Sequence, residues 1–284
     1  MEHRQMSFAG SWYPGQAKAC EREINDFLSG PAASGPDAPG WLGGIVPHAG
    51  WYFSGRIACR TIDALRCEDP IDLVVLFGMH LSPGSPNIMM AQGAWETPFG
   101  DLPVCTSLAD ALMERYDFDQ ETPRRFHPDN TIELQLPFVK RLLNPAEILA
   151  IGVPPTSRSL DLGRAVADWI GQTGKRARII GSTDLTHYGG AYGFSPQGSG
   201  AQAVDWVREH NDRQVIEAML AMTPDQVIQQ GLNHQNACCA GAAATAIATV
   251  NQMGAEQAEI LAYATSHDKS PGDSFVGYVG ILFK

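Results

Sequence analysis

The fold class follows from a nearly continuous apolar run, DLVVLF at residues 72–77. A second run of this kind, ARIIG, occupies residues 177–181. Such runs are typical of strands that are covered on both faces, as in a parallel sheet with helices on either side. Polar residues follow at once: His80 after the first run, Asp184 and His187 after the second. Ligand sites in open α/β sheets lie beyond the carboxyl ends of the strands, so we expect these side chains to converge.

Short β-branched runs alternate with helical stretches along the whole chain, which favours an α/β fold. We predict a single domain, residues 1–284, with a central mixed, largely parallel sheet flanked by helices. The predicted strands are Gly43–Pro47, Asp72–Phe77, Ile88–Ala91, Glu147–Val153, Ala177–Gly181, Glu259–Thr265 and Phe275–Leu282. The predicted helices are Gln16–Leu28, Gly55–Leu65, Ser107–Arg115, Ile132–Leu143, Leu160–Gln172, Ala203–Leu220, Thr223–Gln230 and Ala240–Gln252. A Pro- and Gly-rich stretch from Ser29 to Gly40 is predicted to be a loop.

Composition narrows the classes of protein. The chain has 284 residues, with 20 Lys and Arg against 31 Asp and Glu, which gives a net charge of −11. The basic residues are scattered, so nucleic acid is not an expected partner. No apolar run is long enough for a membrane span and no apolar signal segment follows Met1, so we expect a cytoplasmic protein without a membrane partner. Six cysteines without a CxxC pair indicate reduced thiols, of which one could serve as a ligand or nucleophile.

Two histidines follow predicted strands at equivalent places. His48 lies between Pro47 and a glycine-containing turn, and His80 comes 32 residues later, about one βα unit. Neutral imidazoles at adjacent strand ends could approach one ion, and they suit Zn, Fe and Cu. A histidine that only hydrogen-bonds the turn backbone remains the alternative.

Asp184 and His187 form the second candidate pair. If a helical turn follows the strand, their i, i+3 spacing puts them on one side, where the carboxylate could orient the imidazole for acid/base work. Alternatively, Asp184 or a neighbouring hydroxyl caps a helix and His187 lies on a polar face.

Cys238 and Cys239 precede an Ala-rich helix, at whose N-terminus a thiolate is stabilised and can act as ligand or nucleophile. Plain packing of small buried residues is the alternative. Because consecutive side chains diverge in a strand or helix, we expect only one of the two to face the site. Asn130 or Thr131 followed by Glu133 has the spacing of a capping box, which would explain Glu133 by itself.

Taken in order, these clusters resemble the Memo family, whose bacterial and archaeal members are called AmmeMemoRadiSam system protein B. The likeness spans nearly the whole chain. It is carried by the segments AGSWYP (9–14), PHAG (47–50), GMH (78–80), WETPFG (95–100), IELQLPF (132–138), STDLTHYG (182–189), the Cys238/Cys239 segment, YATS (263–266) and VGY (276–278).

The resemblance implies a fold like that of class III extradiol dioxygenases, which hold Fe(II) by two His and one Glu. Memo proteins resemble these enzymes with Cys in place of Glu, so His48, His80 and Cys238 are expected metal ligands. Cys238 is chosen over Cys239 by matching the family's Cys-Gly-Arg-Gly so that its last glycine falls on Gly241. His187, with Asp184 beside it, is the expected acid/base.

Substrate contacts are expected from Trp51, Asn130, Glu133 and Tyr188. The chain departs from the family in having Asn130 where a histidine is usual, and Cys239 and Ala240 in place of Gly-Arg.

The resemblance therefore implies a metal-binding oxidoreductase, with Fe(II) as the expected cofactor, or Cu or Zn, and a small molecule or peptide as the substrate. It also implies a functional link to AMMECR and radical SAM proteins. The alternatives are a Zn- or Cys-dependent hydrolase and a non-catalytic protein that binds metal or peptides.

Overall fold

A nine-stranded mixed sheet forms the centre of the computed structural model, which describes residues 1–29 and 40–284. The strands are β1 (His3–Arg4), β2 (Gly43–Val46), β3 (Leu73–Gly78), β4 (Asn87–Met90), β5 (Ala94–Trp95), β6 (Leu102–Pro103), β7 (Phe118–Glu121), β8 (Glu147–Gly152), β9 (Ala177–Ser182), β10 (His187–Tyr188), β11 (Ala258–Thr265) and β12 (Phe275–Phe283). The order in the main sheet is β10-β12-β2-β9-β3-β8-β4-β7, and β11 pairs with β12. The loop predicted after Ser29 lies, for residues 30–39, outside the described residues.

The middle of this sheet is parallel, from β2 through β9 and β3 to β8, whereas β12 and β4 run antiparallel to their inner neighbours. Every residue of β2, β3 and β9 is buried. The predicted fold, a mixed and largely parallel sheet flanked by helices, is therefore confirmed. β1, β5 and β6 form a separate small sheet.

Helices cover both faces of the sheet. They are α1 (Ala17–Leu28), α2 (Arg56–Ala64), α3 (Thr106–Met113), α4 (Asn130–Glu133), α5 (Leu136–Phe138), α6 (Ser157–Thr173), α7 (Ala201–Trp206), α8 (Asp212–Leu220), α9 (Pro224–His234) and α10 (Ala240–Gln252). The Ala-rich α10 is almost wholly buried and packs against β9, β3 and α6, while α2 packs on the other face against β2 and β12. None of the helices in the described ranges is long and apolar enough to cross a membrane.

Two predicted helices are interrupted. The one predicted over 132–143 is divided into α4, α5 and a π-helical turn at Val139–Leu143, with Pro137 lacking the N–H that a continuous helix would use. The one predicted over 203–220 is α7 and α8, joined by a π-helical turn at Val207–Asn211. The cap of α4 is Asp129, whose carboxylate accepts the N–H of Ile132, and not Asn130 or Thr131.

The helical turn considered after β9, on which the i, i+3 argument for Asp184 and His187 depended, does not form. Residues 183–186 form no helix, and His187 begins β10, which pairs with β12. The N–H of Leu185 donates to the carbonyl of Gly277, and the N–H of Thr186 donates to the carboxylate of Asp212. These tertiary bonds take the amide groups that a helical turn would otherwise use.

Candidate metal centre

Four side chains that could ligate a metal meet at the carboxyl edge of the parallel strands. His48 follows β2, His80 follows β3, and Cys238 and Cys239 precede α10. One ligand atom from each of the four lies within 4.8 Å of every other, and this is the only such cluster found among residues 1–29 and 40–284. The convergence that the strand ends predict is thus present, and these four residues could hold a metal ion.

His48 is the most tightly held of the four. Its side chain is 1% exposed, its Nδ1 lies 3.0 Å from the hydroxyl of Ser182, and its Nε2 lies 3.2 Å from the sulfur of Cys238. The backbone N–H of His48 donates to Asp184 (2.7 Å), and its carbonyl accepts from the amide of Asn130 (3.0 Å). Because Nδ1 is occupied by Ser182, Nε2 is the nitrogen that can face an ion.

His80 is positioned through strained backbone. Met79, which precedes it, has φ of 71°, a left-handed conformation that is costly for a residue with a Cβ. The N–H of Met79 donates to the hydroxyl of Thr131 at 2.7 Å, which stabilises this conformation. The ring of His80 is nearly perpendicular to that of His48, with 5.0 Å between centroids, and its side chain is 44% exposed.

Both cysteine sulfurs belong to the cluster, which corrects the expectation that only one would face it. Cys239 caps α10 with φ −124° and ψ 54°, so the pair lies in an irregular turn where the rule of diverging side chains does not hold. The two sulfurs are 3.8 Å apart. The N–H of Cys238 donates to the carbonyl of Asp184, and the N–H of Cys239 donates to the hydroxyl of Thr183.

The two thiols have opposite electrostatic surroundings. Burial would raise the pKa of Cys238, but the hydrogen bond with Cys239 and the charge of His48 hold it well below its usual value. Burial, the hydrogen bond with Cys238 and the charge of Cys238 raise the pKa of Cys239 well above its usual value. The directions of these two pKa shifts favour Cys238 over Cys239 as the thiolate of the pair.

Asp184 connects the parts of the centre. Its carboxylate accepts the N–H of His48 and lies 3.8 Å from Nε2 of His187, while its carbonyl accepts the N–H of Cys238. Burial would lower the pKa of both histidines. The charges of Asp184, Cys238 and Asp129 and the hydrogen bond with Cys238 together outweigh burial for His48, whose pKa rises to about 9. Asp184 and Cys238 together raise the pKa of His187 to about 10.

The Nε2 of His187 is buried without a hydrogen-bond partner among the described residues. His187 itself lines a cavity of about 610 Å³, together with His48, His80, Asn130 and Asp184. Its side chain is 33% exposed, so the ring is within reach of a molecule bound in the cavity.

The cavity has a polar floor and an exposed aromatic rim. We call floor the cluster made of His48 and Asp184, which line the cavity, and of Ser182, Cys238 and Cys239, which hydrogen bonds link to His48. The rim consists of three aromatic side chains at the cavity mouth, Trp12, Tyr52 and Tyr192. Sequence reasoning assigned no role to the rim; Trp12 lies in a segment that carries the family resemblance, whereas Tyr192 has no sequence signal that we can identify.

Of the four residues expected to contact substrate, Asn130 lines the cavity. Trp51 is buried, stacks on Phe138 and donates its indole N–H to the carbonyl of Leu134. Tyr188 is buried against Phe275, and its hydroxyl donates to the carbonyl of Gly198. The structure thus places the Trp51 and Tyr188 side chains in packing contacts around the cavity.

Glu133 lies outside the cavity and contacts the N-terminal segment. Its buried carboxylate accepts the N–H groups of Ser7 (2.9 Å) and Phe8 (2.7 Å) and the hydroxyl of Tyr13 (3.1 Å). These bonds fasten the N-terminal segment whose Trp12 forms part of the rim. The role of Glu133 in the structure is to hold this segment.

Comparison with known proteins gives a consistent result over the whole chain. A family model described as Memo-like protein matches residues 4–282. A MEMO1 family protein of Thermococcus onnurineus is 31% identical and one of Methanococcoides burtonii is 30% identical, with at least 99% of each chain covered. An uncharacterized protein of Escherichia coli K12 has a similar fold, with a TM-score of 0.55 at 12% identity, covering 86% of this chain and 100% of its own.

Proposed function

The chain belongs to the Memo family, and on that premise we propose that it is a metal-dependent oxidoreductase acting on a small molecule or peptide. His48, His80 and Cys238 hold the ion, which we expect to be Fe(II) or Cu. One observation carries the proposal: the ligand atoms lie within 4.8 Å of one another beside a cavity of about 610 Å³. That volume is within the range of small-molecule sites.

A redox-active ion would supply the electron transfer between O₂ and substrate that side chains cannot perform. The chain's own residues prepare the site. Ser182 holds the ring of His48 with Nε2 toward the sulfur of Cys238, and Asp184 fixes the backbone of both residues. Such outer contacts orient metal ligands and are needed for affinity.

His187 is the residue placed to move a proton. Its ring lines the cavity, and the carboxylate of Asp184, 3.8 Å from Nε2, favours its charged form. We propose that His187 exchanges a proton with the bound molecule and that Asn130, at the cavity wall, contributes to its binding.

Metal analysis of anaerobically purified protein tests this function. The proposal expects close to one equivalent of Fe or Cu per chain and O₂ consumption by the loaded protein. Absence of stoichiometric metal from protein reconstituted with either ion would overturn it. The link to AMMECR and radical SAM proteins remains a prediction.

The second sulfur favours one alternative function. Two imidazoles and two sulfurs are a ligand set that suits Zn. Such a hydrolase would use a zinc-bound water as the nucleophile, or Cys238 in a site without metal, with His187 as the base and Asp184 as its orienting partner. Stoichiometric zinc, with hydrolysis and without O₂ consumption, would favour this alternative.

A further inference from the structure

The oxidoreductase proposed above, with His48, His80 and Cys238 as ligands, leaves the Cys239 sulfur without a role. Cys239 is 3% exposed, and its sulfur belongs to the same compact group of ligand atoms as those of His48, His80 and Cys238. Its position is set by the end of β9, because its N–H donates to the hydroxyl of Thr183 at 3.1 Å. If Cys239 only filled the space beside the position of the family's glycine, its sulfur would not need to lie among these ligand atoms.

The spacing of the donor atoms fits four-coordinate binding. Metal–sulfur bonds of about 2.3 Å at tetrahedral angles place two sulfurs about 3.8 Å apart, and a sulfur and an imidazole nitrogen about 3.5 Å apart. The observed distances are 3.8 Å between the cysteine sulfurs and 3.2 Å between the Cys238 sulfur and Nε2 of His48. These two separations are close to those that a single tetrahedral ion would require.

We propose that Cys239 is a second sulfur ligand, so that the centre selects a thiophilic ion, Zn(II) or Cu(I), over Fe(II). Thiolates prefer these ions, and a set of two nitrogens and two sulfurs is typical of tetrahedral zinc. The inference rests on the proposed function for the existence of the metal site. Of the two redox-active ions named in the proposed function, Fe(II) and Cu, the inference selects copper.

Four protein ligands also identify the group that a substrate would displace. His48, Cys238 and Cys239 are held at the floor, whereas the side chain of His80 is 44% exposed at the cavity. A tetrahedral ion has no vacant position, and His80 is the ligand that can leave toward the solvent. The ion would then keep three protein ligands, as catalytic metal centres do.

The test counts sulfur ligands in the intact protein. X-ray absorption of the Zn(II) and Cu(I) forms, and the thiolate charge-transfer bands of the Co(II) form, should report two sulfurs. Cys239→Ser and Cys239→Gly should report one. Loss of a contact to a metal ligand typically lowers metal affinity by roughly 10–100-fold, and loss of a ligand should cost at least as much. Both variants should therefore bind Zn(II) and Cu(I) more weakly by at least this factor. Their affinity for Fe(II) should change less.

Cys105→Ser is the matched control, because Cys105 is also a buried cysteine that caps a helix, α3, outside the site. It should leave sulfur count and affinity unchanged. One sulfur in the wild-type protein, with unaltered affinity in Cys239→Ser, would overturn this inference and leave the proposed function standing. Failure of the wild-type protein to bind any of the four ions, Zn(II), Cu(I), Co(II) or Fe(II), would overturn both. The count in wild-type protein does not depend on a variant that folds.

Discussion

The floor and the rim of the cavity differ in how they are held. His48 is 1% exposed and Asp184 is 4% exposed, and both are tied to neighbouring elements by hydrogen bonds. Trp12, Tyr52 and Tyr192 are 42%, 64% and 47% exposed. The floor is therefore preorganised for an ion, and the rim has room to adapt to a larger molecule. Changes at the floor should alter metal binding, and changes at the rim should not.

The largest effect is expected from His48→Ala. The variant loses the imidazole whose Nε2 lies 3.2 Å from the Cys238 sulfur, one of the four possible ligands. We expect most of the bound ion to be lost, measured by elemental analysis, while circular dichroism shows a folded protein. His210→Ala, which changes an exposed histidine, is the control. Full occupancy in His48→Ala would contradict the assignment of the floor.

His187→Ala should separate proton transfer from metal binding. We expect unchanged metal content and a loss of turnover of about 10²–10⁴-fold, the usual contribution of an acid/base residue. Elemental analysis and steady-state rates on the same preparation check both parts. If the variant loses its metal, His187 is itself a ligand.

Ser182→Ala should weaken the floor without removing a ligand. The hydroxyl of Ser182 fixes the ring of His48 through Nδ1 at 3.0 Å. Loss of such a contact typically costs about 10–100-fold in metal affinity, which chelator competition can measure. Ser266→Ala, at the cavity wall but away from His48, should have no such effect. Equal affinities for wild-type protein and Ser182→Ala would show that the ring of His48 is held without this bond.

The sequence predicts part of the floor and its surroundings. The continuous apolar strands predict that His48, His80 and Asp184 converge, because the carboxyl ends of parallel strands share an edge. The sequence could not place both cysteine sulfurs together, because the turn at Cys239 has no periodic pattern. Nor could it predict the contacts of Glu133: its capping-box spacing is local, whereas its partners Ser7 and Phe8 are about 125 residues away.

In the metal-free protein, two histidines of the site should make stability depend on pH. His48 and His187 have pKa values raised from 6.5 to about 9 and about 10, so their stabilisation is complete below 6.5 and is lost as the pH rises through 9 and 10. The lowered pKa of Cys238 makes stability rise with pH instead, but this is the effect of one titrating group against the two histidines. We expect the free energy of unfolding, measured with urea and a chelator present, to fall from about pH 7 to 10. A rise over this range would mean that the histidines are neutral in the folded protein.

The smallest effect is expected at the rim, from Tyr52→Ala. The side chain of Tyr52 is 64% exposed, and its ring contacts Phe53 and the ammonium group of Lys269. An exposed substitution of this kind usually changes the free energy of unfolding by no more than about 0.5 kcal/mol. Metal affinity should be unchanged, because the ligand atoms and their hydrogen-bond partners lie at the floor. Only the binding of a molecule that fills the cavity should weaken, since the aromatic surface at its mouth is lost.

Chelator competition and urea unfolding of Tyr52→Ala beside Ser182→Ala provide the measurement. A loss of metal affinity in Tyr52→Ala as large as in Ser182→Ala would show that rim and floor are one coupled unit, and that the difference in burial does not separate their functions.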